Sequence, residues 1–187
     1  MELFILGLII FFATHLWTPI ARGPREKLAG RLGEAGYKGL YSIVSAAGFA
    51  LIIIGWRSAD ASALYTPPAW GRHAAYLLML LALIALAAAY LPKGKIAAGL
   101  KHPMLAGVKL WALAHLLANG EVRSVVLFGA FLAYGVFDRI AVKRRGAPVP
   151  AAGPIANDLI AIAVGAAAWA AIYFFLHRYI AGVGLRA

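Results

Sequence analysis

The chain has 187 residues, of which 63% are hydrophobic and 13% charged, and its mean hydropathy is +0.81. A water-soluble domain of this length is only about half apolar, so the composition excludes one and predicts a polytopic membrane protein. The chain has no cysteine, which excludes disulfides, thiolate metal ligands and a cysteine nucleophile. The formal net charge is +11. The basic residues lie in short stretches between apolar segments, a pattern typical of topology signals that face anionic lipid and not of a nucleic-acid interface.

Six apolar segments predict an all-α bundle of about six transmembrane helices, because about 20 apolar residues cover the hydrocarbon core. We expect one integral membrane domain over residues 1–187. The sequence begins with Met1 and Glu2 and has no basic region before the first segment, so a cleaved signal peptide is not expected. The predicted spans are Leu3–Ile20, Leu40–Trp56, Ala74–Leu91, Pro103–Asn119, Val122–Phe137 and Leu159–Ile180.

The stretches between these spans are predicted to be loops. They are the polar run 21–38, the segment Arg57–Arg72 with its Pro67-Pro68 pair, and the basic stretch around Lys143, Arg144 and Arg145.

The distribution of lysine and arginine predicts the orientation. The stretches after the first, third and fifth spans hold twelve of these residues, and the opposite side holds five. Because basic loops remain on the cytoplasmic side, we expect cytoplasmic basic loops and both termini on the outer side, in the periplasm if the host is Gram-negative.

The segment from Lys101 to Gly120, KHPMLAGVKLWALAHLLANG, carries two histidines and a lysine within apolar sequence. Ionisable side chains in the hydrocarbon layer cost roughly 2.5–3.5 kcal/mol each and are tolerated mainly where they face a partner, a cofactor or a cavity. Lys109 returns to nearly the same helix face as His102, whereas His115 lies roughly 20 Å further along the axis. The two histidines are therefore expected to act at different depths.

His15 and His102 are predicted to lie on the same side of the membrane. His15 is five residues before the end of the first span, and His102 opens the fourth span from that side. Imidazole is the usual axial ligand of b-type haem where cysteine is absent, and facing helices of a bundle often supply it. The pair is therefore a candidate for metal ligation. The alternatives are that His15 is satisfied by a carbonyl group or Thr18, and that His102 only precedes the helix that starts at Pro103.

Lys109 and His115 are further candidates for contact with a cofactor. Lys109 is expected to pair with a carboxylate or a haem propionate, unless its ammonium group reaches the membrane surface. His115 shares a helix face with Asn119, and the two could hydrogen-bond a substrate group or form a second ligand site with His73 or His177. The alternative is an ordinary histidine near a helix end.

Five bulky aromatic residues could line a flat apolar cofactor pocket, although such residues also serve ordinary core and lipid contacts. They are Phe11, Phe12, Trp17, Trp111 and Phe128.

The segment HPM…LWALAHLLANG, together with THLWTP around His15 and YKGLYSIVSAAGF at 37–49, resembles the NnrU family of bacterial membrane proteins over nearly the whole chain. The resemblance implies a role in the expression or activity of nitrite and nitric oxide reductases. The family is similar to zeta-carotene isomerase, a membrane enzyme that uses haem b held by two histidines on separate membrane segments. Those histidines match His15 and His102. Because the chain lacks the longer N-terminal extension of plastid forms, the resemblance implies a haem b site more firmly than a carotenoid substrate.

Two functions follow as expectations. The first is a haem b-binding membrane protein that supports denitrification through sensing, maturation or supply of a reductase, with reductase components as possible partners. The second is a haem-dependent cis/trans isomerase of a carotenoid-like polyene. A transporter is less well supported because paired broken helices and buried acids are not evident, and a methyltransferase because no glycine-rich loop is placed to hold a nucleoside.

Overall fold

The protein is described from a computed structural model, which describes residues 1–182, 184 and 185. Its helices are α1 Glu2–Ile20, α2 Arg22–Trp56, α3 Gly71–Tyr90, α4 Lys95–Leu100, α5 Pro103–Ala118, α6 Val122–Arg144 and α7 Ile155–Ala171. A π-helical segment, Ile172–Leu176, continues α7 into the short helix α8 His177–Ala181. The all-helical prediction is confirmed.

Five of the helical segments in the described residues are long and apolar enough to cross a membrane: α1, α2, α3, α6 and the continuous stretch Ile155–Ala181. The predicted fourth span is the apolar helix α5, which has 16 residues. At about 1.5 Å per residue it is about 24 Å long, somewhat short of a hydrocarbon core of about 30 Å. The prediction of about six spans is therefore consistent with the structure.

The polar run 21–38 was predicted to be a loop, and that prediction is wrong. The run is helical and forms the first part of α2, which is interrupted at Gly33 by a backbone with φ 71° and ψ 163°. Arginine, lysine, glutamate and leucine all favour helix, so a charged sequence can form one where it need not cross the bilayer. The guanidinium of Arg25 lies over the ring of Tyr37 at 5.2 Å and connects the two parts of α2 across the break.

Three other features of the helices differ from the expectation. Helix α6 continues to Arg144, so most of the basic stretch after the fifth span is helical and not a loop. The short helix α4 was not predicted, because six residues are too few to give a periodic hydrophobic signal. The last span contains the π-helical segment, which was not predicted because its apolar residues resemble those of the helix around it.

The packing order of the helices differs from their order in the chain. Helix α1 packs on α2, α6 contacts both α1 and α5, and α3 packs between α5 and α7. We call the end where α1, α3 and α6 finish and α5 and α7 begin the basic end, because it carries most of the lysine and arginine. The other end is called the far end.

Small residues allow the helices to approach closely. A Cβ atom added at Gly48 of α2 would lie 2.8 Å from the backbone nitrogen of Phe11, and one at Gly165 of α7 would lie 2.6 Å from the Cα of Ile84. Alanines of α3, α5 and α7 are fully buried at the same contacts, among them Ala82, Ala112 and Ala161. This packing is typical of membrane helices, where dispersion between close backbones stabilises association.

Asp158 is a buried charged residue at the start of α7, and its hydrogen bonds hold α4 against α7 at the basic end. Its two carboxylate oxygens accept hydrogen bonds from the backbone N–H groups of Lys95 (2.9 Å) and Ile96 (2.8 Å). The first N–H groups of a helix lack intrahelical partners, so the carboxylate satisfies the start of α4 and ties it to α7.

We predict that Gly48→Leu lowers the stability of the detergent-solubilised protein by about 1–3 kcal/mol, because the new side chain would force α1 and α2 apart. The measurement is the temperature at which the monodisperse peak is lost in size-exclusion chromatography. Gly39→Leu is the control on the same helix, since a Cβ at Gly39 meets no atom within 4 Å. Equal melting of the two variants would contradict the packing described.

We also predict that Asp158→Ala destabilises the protein by about 1–3 kcal/mol, because two helix-start N–H groups lose their acceptor. Asp158→Asn keeps one acceptor oxygen and should lose less. The control is Asp60→Ala, which removes an exposed hydrogen bond to the N–H of Ser62. A melting temperature of Asp158→Ala that matches the control would refute this role.

Candidate functional site

His15 lies on α1 and faces α6. Its Nδ1 donates a hydrogen bond to the carbonyl oxygen of Phe11 at 2.7 Å. A carbonyl oxygen only accepts, so Nδ1 carries the proton of the neutral ring and Nε2 keeps its lone pair. Three rings flank the imidazole: Phe11 is stacked on it at 4.0 Å, and Tyr41 and Tyr134 lie at 5.5 and 5.8 Å.

His102 immediately precedes α5, at the start of the predicted fourth span. The turn before it is made by Lys101, a non-glycine residue with φ 64°. Partial burial holds the pKa of His102 below its usual value, and the positive charges of Arg139 and Arg145 lower it further, against the opposing charge of Asp138. These surroundings disfavour the charged form of the imidazole.

Helix α6 connects the two histidines. His15 packs against Tyr134, and Asp138, which is one turn further along α6, belongs to the group of charges that acts on His102. Within residues 1–182, 184 and 185, the imidazole of His15 makes no ring contact with that of His102. The structure thus packs His15 against Tyr134 and leaves His102 within electrostatic range of Asp138, without a ring contact between the two imidazoles.

Lys109 packs against α6 near the same place. A Cβ at Gly135 would lie 2.8 Å from the Cγ of Lys109, so the lysine stem fills the space that this glycine leaves. In the described part of the chain, the ion pairs are Lys38–Glu34, Arg123–Glu121 and Arg145–Asp138, and none includes Lys109. The expected carboxylate partner of Lys109 is therefore not a side chain of the described residues.

The predicted aromatic residues cluster where α1, α5 and α6 meet. Phe131 of α6 lies at their centre, 5.4 Å from Phe11, 4.9 Å from Phe12 and 5.2 Å from Trp111. Phe128 contacts Trp111 at 4.9 Å. Trp17 has no ring contact with this cluster in the described chain and is 41% exposed.

His115 lies towards the far end of α5, separate from the pair at the basic end. Its Nδ1 donates a hydrogen bond to the carbonyl oxygen of Trp111 at 2.8 Å, and its ring is stacked on Phe128 at 4.3 Å. Asn119 donates from Nδ2 to the carbonyl oxygen of His115 at 2.9 Å. The two side chains therefore share one helix face, as the spacing predicted.

A cavity of about 250 Å³ lies between α3, α5 and the end of α7, and His115 forms part of its wall. His177 also lines it, so the structure brings together two of the three histidines considered for a second site. His73 is exposed and contacts Tyr76 edge-on at 6.4 Å. Other residues of the wall include Arg72, Tyr76, Asn119, Trp169 and Tyr173.

Sequence reasoning did not identify Arg72, Tyr76, Trp169 and Tyr173 as members of this site. The four-residue spacing of Arg72 and Tyr76, and of Trp169, Tyr173 and His177, was a usable signal of shared helix faces. Which helices face each other could not be inferred from that spacing.

The chain offers pairs of imidazoles and not larger clusters. Over residues 1–182, 184 and 185, no group of three or more His, Cys, Asp or Glu side chains could hold a metal ion. Axial ligation of a haem iron needs two histidines, whereas a zinc site needs three or four protein ligands.

The environment of His102 predicts a titration midpoint below the usual histidine value of about 6.5. Because the folded state favours the neutral ring, folding loses stability as the pH falls below about 6.5, where the unfolded chain takes up the proton more readily. NMR of histidine-labelled protein measures the midpoint, with His102→Gln to assign the signal. A midpoint at or above 6.5 would contradict the environment described.

Comparison with known proteins identifies the family. The sequence model described as "NnrU protein" matches residues 3–185, nearly the whole chain. No curated protein and no solved structure matches the chain. The resemblance drawn from the segments around His15, Tyr37 and His102 is thereby confirmed, and the chain belongs to the NnrU family.

Proposed function

We propose that this NnrU-family protein binds haem b in the bacterial inner membrane and supports denitrification, and that His15 and His102 would hold the haem. Membership of the family supports the general assignment. The observation that carries the site is the hydrogen bond from Nδ1 of His15 to the carbonyl oxygen of Phe11, at 2.7 Å. Histidines that bind metals usually donate their second ring N–H in this way, which fixes the tautomer and directs the other nitrogen to the metal.

The surroundings of the two histidines suit an amphiphilic macrocycle. Phe11, Tyr41 and Tyr134 flank His15 with flat aromatic surfaces. A separate groove of about 320 Å³ at the basic end, which neither histidine lines, is bordered by apolar residues of α1 and α6 and by three arginines, and guanidinium groups bind carboxylates such as haem propionates. The arginines are Arg22, Arg144 and Arg145.

Lys109 supports the same assignment. It projects from α5 onto Gly135, the neighbour in sequence of Tyr134, and Tyr134 packs against His15. A lysine in this position needs a negative group, and a propionate would supply it.

In this proposal bound haem b supplies one-electron and gas-ligand chemistry, and the protein sets its access and polarity. The aromatic residues would exclude water from the His15 side of the haem. The three arginines and Lys109 would balance the negative charge of its propionates. Such a centre serves redox or nitric oxide sensing, or the maturation or supply of a reductase. Components of the nitrite or nitric oxide reductases are the proposed partners.

The orientation proposed from the charge distribution places the basic end in the cytoplasm and both chain ends in the periplasm. The haem site then lies near the cytoplasmic leaflet, within reach of the basic groove.

Absorption spectroscopy of the full-length protein tests the haem proposal. Protein purified in detergent after growth with a haem precursor should show a Soret band that shifts on reduction, and His15→Ala and His102→Ala should each lose most of it. His73→Ala is the matched control, because His73 is exposed and adjoins neither ligand. A colourless wild-type protein, or an unchanged band in both ligand variants, would overturn the proposal.

A second candidate function is a haem-dependent cis/trans isomerase of a carotenoid-like polyene. The observation that favours it is the aromatic cluster around Phe131, which extends from Phe11 on α1 to Trp111 on α5 and gives an elongated apolar surface beside His15. Conversion of a cis-polyene in a host without its own isomerase would support this function. No turnover by fully haem-loaded protein would favour the sensing or maturation role.

A further inference from the structure

The cavity between α3, α5 and the end of α7 is polar at one end and apolar at the other. Arg72, His115 and Asn119 lie around its opening at the far end of the bundle. Met79 and Leu83 also line it, and they follow Arg72 on α3 by about 10 and 16 Å along the helix axis. The cavity therefore suits an amphiphile whose polar head lies near the membrane surface and whose apolar part points inward.

Two acceptors of the cavity have no hydrogen-bond partner within the described part of the chain. Because Nδ1 of His115 donates to the carbonyl oxygen of Trp111, Nε2 of the neutral ring is left with a lone pair. Because Nδ2 of Asn119 donates to the carbonyl oxygen of His115, the amide oxygen of Asn119 is the group left to accept. Two such acceptors suit a ligand whose hydroxyl groups donate hydrogen bonds. The guanidinium of Arg72 can in turn donate a hydrogen bond to an oxygen atom of the ligand.

Aromatic rings form one wall of the cavity. Trp169 and Tyr173 are stacked with centroids 5.0 Å apart and planes inclined by 10°, and Tyr76 meets Tyr173 edge-on at 5.0 Å. Flat parallel surfaces of this kind favour a planar ring over a flexible chain.

The π-helical segment brings three residues of this wall onto the same side of the helix. In a regular α-helix, His177 would be rotated by about 80° from Trp169, because eight residues make about 2.2 turns. The wider turn of Ile172–Leu176 takes up this rotation, so that Trp169, Tyr173 and His177 all line the same cavity. π-helical turns are frequent at functional sites.

Other ligand classes fit less well. A divalent cation would meet the guanidinium of Arg72 and only two imidazoles, and the described residues of the wall include no carboxylate. A volume of about 250 Å³ lies below the usual range for drug-sized ligands, which favours a single substituted ring over an extended polyene.

The geometry points to a binding site for the ring of a membrane hydroquinone. A hydroquinone hydroxyl donates to Nε2 of His115, the ring lies along Trp169 and Tyr173, and its apolar chain passes Met79 and Leu83 into the bilayer. This site is at the opposite end of α5 from His102, so it does not depend on the proposed haem site.

Binding of a short-chain probe tests this inference. Full-length protein in nanodiscs free of quinone is titrated calorimetrically with decyl-ubiquinol and, separately, with decyl-ubiquinone. Wild-type protein should bind saturably and should prefer the reduced form by roughly three- to tenfold, the value of one hydrogen bond. His115→Leu removes the acceptor and should abolish this preference.

A pair of variants on α3 controls for general effects of a bulky residue. Leu83→Trp fills the apolar end of the cavity and should weaken binding about tenfold or more. Leu77→Trp, on a 59% exposed position of the same helix, should bind as the wild type does. Chromatographic monodispersity and the Soret band of each variant are recorded alongside, so that loss of folding or of haem is separated from loss of quinol binding.

Three results would overturn the inference. They are the absence of saturable binding to a well-folded wild-type protein, equal affinities of Leu83→Trp and Leu77→Trp, and native mass spectrometry that finds a phospholipid held in the cavity and lost from Leu83→Trp.

Discussion

The close approach of helices at glycine and alanine is the constraint on which the rest of the structure depends. Apolar helices in lipid associate through contact between their surfaces and not through exclusion of water. An unfilled gap at an interface therefore costs free energy. Gly48 against Phe11 and Gly165 against Ile84 leave no room for a side chain. Because these interfaces have no space for side chains, the polar and aromatic side chains lie elsewhere between the helices.

Two such places exist in the described chain, one towards each end of α5. At the basic end, His15 packs against Tyr134 of α6, Lys109 packs against Gly135, and the charge of Asp138 acts on His102. At the far end, the cavity receives side chains from α3, α5 and the end of α7. In both, a histidine uses Nδ1 to satisfy the carbonyl group four residues earlier, so the helix itself determines which ring nitrogen remains available.

The sequence was sufficient to predict the helical class, the approximate spans and the position of His102 at the start of α5, because hydropathy and proline record these features directly. It could not predict which helices are neighbours. Helix α6 packs between α1 and α5, and α3 between α5 and α7, and these contacts depend on where small residues match across an interface. For the same reason Trp169 and Tyr173 were missed as cavity residues, and the helical state of the charged run after Ala21 was hidden by its polarity.

The charged first part of α2 has an electrostatic consequence for the basic end. Its arginines and lysines attract anionic lipid headgroups, each by about 1 kcal/mol near the surface. A leaflet at about −30 mV concentrates protons as well, so the interfacial pH is about half a unit below that of bulk water. Partial burial and the positive charges of Arg139 and Arg145 lower the pKa of His102, and this shift opposes the added tendency of its imidazole to take up a proton in such an acidified layer.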